Sequence, residues 1–172
     1  MPSRLSLALT TAALCFTTPV VADVNSGAYL AARQAGIQGD YTAAAQYFRS
    51  ALLSDANNLN LMEQTITAFV GTGQMQSAAG IARSFIDAGG DSQIASIALM
   101  AQATRTQDWD AIFTNLEAGH EVGPLIDGLA QAWAYVGKGQ MARALMSFDE
   151  VIDTPGLRAF GQHHKALALA MN

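Results

Sequence analysis

Residues 39–58 read GDYTAAAQYFRSALLSDANN, and the placing of large and small side chains in this stretch decides the fold. Gly39 and Asp40 make a tight turn. After them Ala44 and Ala51 share a helical face with Tyr41, Tyr47, Phe48 and Leu52, so that bulky residues meet small ones, as close packing of helix on helix requires. Asp55, Ala56, Asn57 and Asn58 then supply an exit turn.

The same punctuation returns along the chain. Tyr41, Met75 and Trp109 each follow a turn at separations of 34 residues, and Met141 comes 32 residues later. Gly39, Gly73 and Gly139 stand two residues ahead of Tyr41, Met75 and Met141, while Gln107 holds that place ahead of Trp109. Small residues follow at Ala44, Ala78, Ala111 and Ala144. A period near 34 with two helices per unit resembles the tetratricopeptide (TPR) repeat, from about residue 25 to the last. The resemblance implies an all-α, right-handed α-solenoid of antiparallel helix pairs, with about four TPR-like hairpins plus one extra C-terminal helix. The repeats are expected at about 25–58, 59–90, 91–122, 123–156 and, in part, 157–172.

On length alone 172 residues suit one compact domain, but an internal repeat overrides that expectation, because a solenoid gains core by stacking neighbours. Hydrophobic residues make up 51% and aromatic residues only 8%, so the apolar share is largely Ala and Leu. Such a composition suits closely packed helices. The formal charge is −5, and the cations are spread singly, which argues against nucleic acid or an anionic membrane surface as partner.

The first segment reads as a targeting signal. Arg4 precedes an uncharged run over residues 5–16, and Pro19-Val20-Val21-Ala22 puts small side chains where a signal peptidase reads them. Cleavage is expected between Ala22 and Asp23, removing residues 1–22 and delivering residues 23–172 to the periplasm. An apolar run of about 12 residues falls short of the ~20 that cross a bilayer, so no membrane span is expected after cleavage. Cys15 suggests a lipid anchor at first sight. Leu14 before it is too large for that processing, and the Cys lies too deep in the apolar run. Its removal leaves a chain without thiols, suited to an oxidising compartment and stabilised by helix packing alone.

Helices are expected over 25–37 and 41–54, 58–72 and 75–88, 92–105 and 109–118, 124–136 and 141–153, with a last one over 157–171. Asn25 or Ser26 is available to cap the first, Gly89-Gly90 stops the fourth, and Pro124 suits the first turn of the seventh. Three positions depart from the pattern. Ala56 stands where TPR repeats often have Pro, Phe85 takes the place that Ala51 holds in the first repeat, and Gln107 replaces a turn glycine. The exchange at Phe85 loosens the match between repeats. The third hairpin, with Gln107 and a shorter second helix, is the weakest. Leu167, Leu169 and Met171 run to the end of the last helix without the polar outer face of a terminal cap. That pattern implies either a longer protein or an end that meets another subunit.

The resemblance also implies where a ligand lies. In TPR arrays the first helices of successive repeats line the inner curve, and an extended peptide or a helix rests on them. Carried over by position, that surface includes Tyr29, Arg33, Glu63, Thr67, Ile97, Ala101, Leu129, Trp133 and His163. It is polar at one end and apolar at the other. It lacks the Lys and Asn set with which chaperone-binding members hold a terminal carboxylate, and Ile97, Leu129 and Trp133 suit a hydrophobic peptide or helix. Trp133 has two readings: core packing, the commoner fate of an aromatic at helical spacing, and an interface anchor.

Catalytic constellations are poor. His163 and His164 are adjacent, so on a helix they point about 100° apart and cannot share a metal as an i,i+4 pair would. His120 stands in a loop beside Glu121 with no further ligand at metal spacing. Asp108 and Asp110 flank a helix start, where carboxylates favour the positive end of the helix dipole, and Asp149-Glu150 reads as a solvated face. No serine has a histidine at recognisable spacing, and no phosphate-binding loop follows a strand. The residues therefore predict no catalytic, cofactor or metal site. They predict a non-catalytic scaffold in a Gram-negative periplasm that binds a protein or peptide of an envelope complex, with self-association through the C-terminal helix as a further expectation. The alternative is an accessory or oligomerising region of a larger envelope enzyme whose catalytic domain lies beyond residue 172.

Overall fold

The computed structural model describes residues 24–171, so the expected signal segment and its cleavage position lie outside the described residues. Within that range the chain forms α1 (Val24–Ile37), α2 (Tyr41–Ser54), α3 (Leu59–Gly71), α4 (Met75–Asp87), α5 (Gln93–Thr106), α6 (Trp109–Glu117), α7 (Pro124–Gly137), α8 (Met141–Asp153) and α9 (Arg158–Ala170). The described residues contain no strand. Odd and even helices pair into hairpins, and each hairpin packs on the next through consecutive helices, so the stack expected from the 34-residue period forms. No helix among the described residues is long and apolar enough to cross a membrane.

The helices start and stop within one residue of the expected positions because turn chemistry is local. Asp40 accepts the backbone N–H of Ala43 (2.9 Å), Asn58 that of Leu61 (3.1 Å) and Asp108 that of Ala111 (3.2 Å), each satisfying a donor left free in a first helical turn. One expectation is corrected. Asn25 and Ser26 both lie within the span of α1 rather than ahead of it. Gly39, Gly73 and Gly139 take φ of +75°, +72° and +70°, the left-handed conformation that a glycine enters without steric cost. Gln107 takes φ 56° at the equivalent place, where a Cβ costs about 1–2 kcal/mol.

The 34-residue period also has a packing meaning. A Cβ on Gly71 would stand 2.9 Å from Cγ of Tyr41, and one on Gly137 2.4 Å from Cε2 of Trp109. Tyr41 opens α2 and Trp109 opens α6; each ring lies over a glycine that closes the first helix of the next repeat. The exchange at Phe85 is accommodated in the same way. Its buried ring occupies the space a Cβ on Gly90 would enter, at 2.5 Å from Cζ, whereas 34 residues earlier the two positions hold Ala51 and Ala56. Bulk gained at one position is given up at the other.

One continuous core runs from α1 to α5 through Ala32, Phe48, Ile66, Ala78, Phe85 and Ala98. Beyond α5 it divides. One cluster gathers Ala103, Ile112 and Ala134 under Trp109 and Phe113; another gathers Ala132, Ala144, Phe148 and Ala168 against Trp133. Helix α6 has nine residues, buries only Ile112, and packs on α5 and α7 more thinly than other consecutive helices pack. The expected weakness of the third hairpin is therefore a short helix with little to bury. Among the first helices α3 touches α5 and α7 touches α9, while the second helices stay further apart, so the stack curves toward its first helices.

Candidate functional site

On the inner side, α1, the head of α2 and α3 enclose a cleft of about 240 Å³. Ala44, Phe48 and Ala68 form its floor, and Arg33, Tyr41, Gln64 and Thr67 stand around its mouth. Arg33 is exposed and makes no ion pair with any described residue. Thr67 Oγ1 donates to the carbonyl of Glu63 (2.9 Å), which leaves its lone pairs toward solvent. Gly36, in the last turn of α1, lines the cleft, and no atom lies within 4 Å of where its Cβ would be. An apolar floor ringed by a free guanidinium, an amide and a hydroxyl suits a protein segment that offers an apolar side chain beside acceptor groups.

The residues expected on the inner curve are spread over α1, α3, α5, α7 and α9. Arg33 and Thr67 meet in this cleft. Tyr29 is half-buried, its ring edge-on to Phe48 at 6.2 Å, where it ties α1 to α2. Glu63 accepts a hydrogen bond from Ser92 Oγ (2.6 Å), joining α3 to the residue that opens α5. Ile97 and Ala101 are half-buried on α5. Leu129 and Trp133 pack against the α7–α9 cluster, and the Trp133 indole N–H donates to His164 Nδ1 at 3.1 Å with its ring edge-on to Phe148. His163 is exposed, its ring 5.5 Å from that of His164. Trp133 thus serves as a joint between α7, α8 and α9.

Gln64, Tyr41 and Gly36 are not among the positions carried over. The carried-over step pairs Glu63 with Thr67, whereas the cleft is faced by Gln64, Thr67 and Ala68, an i, i+3, i+4 stripe turned away from Glu63. Gly36 held a usable signal, since a glycine inside a helix calls for a reason.

The acidic positions read as caps or solvated residues divide their work. Asp108 caps α6, and Asp110 pairs with Lys138 at the end of α7. Asp149 accepts Lys165 Nζ at 2.6 and 2.7 Å, bridging α8 to α9. Among the described residues no group of three or more His, Cys, Asp or Glu side chains is placed to hold a metal ion.

No protein-family model matches the chain. Neither does any curated protein. Among solved structures, the crystal structure of MamA protein is similar, with a TM-score of 0.63 and 14% sequence identity over 86% of this chain and 87% of that one. At that identity the likeness concerns the fold, and with the paired helices it supports a TPR-like helical-repeat architecture.

Proposed function

We propose that this chain is a non-catalytic scaffold that holds a peptide or helix of a partner protein on the inner curve of its helical stack, and that it works in the periplasm of a Gram-negative cell. The observation that carries the reading is the cleft between α1 and α3, where Arg33, Gln64 and Thr67 surround an apolar floor. Location rests on Arg4, the apolar run and Val20-Val21-Ala22 ahead of the repeats. A micromolar complex, about −8 kcal/mol, is the expected strength.

Pull-downs from periplasmic extract with the native chain and with Arg33→Glu test the binding surface. The variant should lose the bound partner while its helical circular dichroism is unchanged; an unaltered set of partners removes the inner cleft as the binding surface. Tyr29→Ala and Trp133→Ala extend the test along the curve, with helicity monitored because both side chains also pack. Mass spectrometry of the chain from the periplasmic fraction should give Asp23 as its first residue. Recovery only from the cytosol with Met1 in place rules out export.

A second reading is favoured by α9. Phe160, Leu167 and Met171 form an exposed apolar stripe on this last helix, as in an accessory or oligomerising region of a larger envelope enzyme. Leu167→Glu should then disperse an oligomer seen by light scattering. A monomeric native chain encoded with a stop codon after Asn172 removes that reading.

A further inference from the structure

On the outer side of the stack, where the second helices α2 and α4 diverge, a second cleft of about 490 Å³ opens between Leu52, Met62 and Ile81. Three polar groups at its rim, on Arg49, Asn57 and Ser84, make no side-chain hydrogen bond or ion pair with any described residue. Leu53 beside it is 83% exposed. The floor is kept open by Gly80. This glycine sits mid-helix in α4 with no neighbouring element within 4 Å of its Cβ position, as do Gly27 and Gly36 in α1, so packing does not require it, whereas Gly71, Gly90, Gly128, Gly137 and Gly161 each lie under a neighbouring side chain. A helix-weakening residue retained where a larger one fits, at the base of a cleft, points to something that enters the cleft.

The outer face changes sign along the stack. The ninth positions of α2, α4, α6 and α8 are Arg49, Arg83, Glu117 and Asp149, with Asp87 following Arg83 at i+4 and Asp149 paired with Lys165, so α2 carries a net positive charge and α8 a net negative one. On α8, Met146 is 66% exposed, and Glu150 and Asp153 follow it at i+4 and i+7 on one outward stripe. Neither carboxylate forms an ion pair among the described residues. Arg143, the cation on this face, lies at the opposite end of α8, over the Tyr135 ring and donating to Gln140 Oε1. The other exposed apolar helices do not suit a cleft whose one charged lining residue is Arg49, because α1 and α9 carry Arg33, Arg158 and Lys165 and no carboxylate.

We propose that the outer cleft between α2 and α4 receives α8 of a second copy of this chain, with Met146 entering beside Gly80 and Glu150 and Asp153 facing Arg49. Cleft and stripe lie on different hairpins, and the proposed contact is head-to-tail: the stripe of one copy enters the cleft of the next, whose own stripe stays free for a third. It is independent of the inner curve and of the α9 stripe.

Sedimentation velocity of the native chain should show concentration-dependent association beyond a dimer that weakens as salt is raised. Gly80→Leu, which favours the helix while filling the floor, and Glu150→Arg should each weaken association at least tenfold with helicity preserved. An equimolar mixture of these two variants should stop at a one-to-one dimer, since each blocks one end only. Arg49→Glu should likewise abolish association, and combining it with Glu150→Arg in one chain should restore it. Leu167→Glu and Arg33→Glu should leave it unchanged. A native chain that stays monomeric up to about 1 mM overturns the proposal. So does association that survives Gly80→Leu and Glu150→Arg, or a mixture that remains monomeric.

Discussion

The second and third hairpins are cut from one 34-residue pattern, and they come out unequal. α3 and α4 bury Ile66, Phe69, Ala78, Ala82 and Phe85 in a core shared with α1, α2 and α5. α6 buries Ile112 alone, follows a turn in which Gln107 stands where the other hairpins place glycine, and leaves the core divided on its far side. In a stack whose stability is a sum of units and interfaces, cohesion therefore falls at α6 and recovers beyond it.

Removing the one anchor of α6 breaks the comparison most directly. Ile112→Ala should cost about 2–5 kcal/mol by leaving a cavity. Hydrogen exchange should then quicken over α6–α9 while α1–α5 keep their protection. Ile66→Ala, of similar chemistry but inside the continuous core, should quicken α1–α5 together. If both variants open the whole chain in one step, the division of the core has no energetic meaning.

The interlocking rings sharpen it. Gly71→Ala and Gly137→Ala drive a methyl into the rings of Tyr41 and Trp109, and each should cost about 1–3 kcal/mol in urea denaturation. The larger loss belongs to Gly137, where the approach is closer. A smaller test reverses the turns. Gln107→Gly should stabilise by about 1 kcal/mol, and Gly73→Gln should destabilise by a similar amount, because only the backbone conformation is at issue. Both are read from thermal midpoints. Smallest of all is the Asp149–Lys165 pair between α8 and α9: both side chains are partly solvated, so Lys165→Met should change stability by about 0–1 kcal/mol and make it less dependent on salt.

Why the fold could be read from the chain and the site only partly follows from the range of the forces involved. Gly39, Asp40, Asn58, Asp108 and Pro124 act on the few residues around them, so they mark helix ends without knowledge of the rest. The period then fixes which helix meets which. A cleft depends on how far each helix is rotated about its axis, and a single residue of offset moves Glu63 out and Gln64 in. Longer ties were hidden altogether: Ser92 to Glu63 and Trp133 to His164 join residues 29 and 31 positions apart, and neither pair has a local signature. Gly80 and Gly36 were visible as anomalies, yet only the surrounding space shows that no neighbour requires them.

The trade between Phe85 over Gly90 and the Ala51 and Ala56 that hold these positions in the first repeat bears on any attempt to rebuild this array from an averaged unit. Mixing the two couples column by column would set a phenyl group against a methyl or leave a single methyl facing a hole. Hairpins transplanted whole should tolerate a new neighbour, whereas grafts of single columns should fail unless both members of the couple travel together.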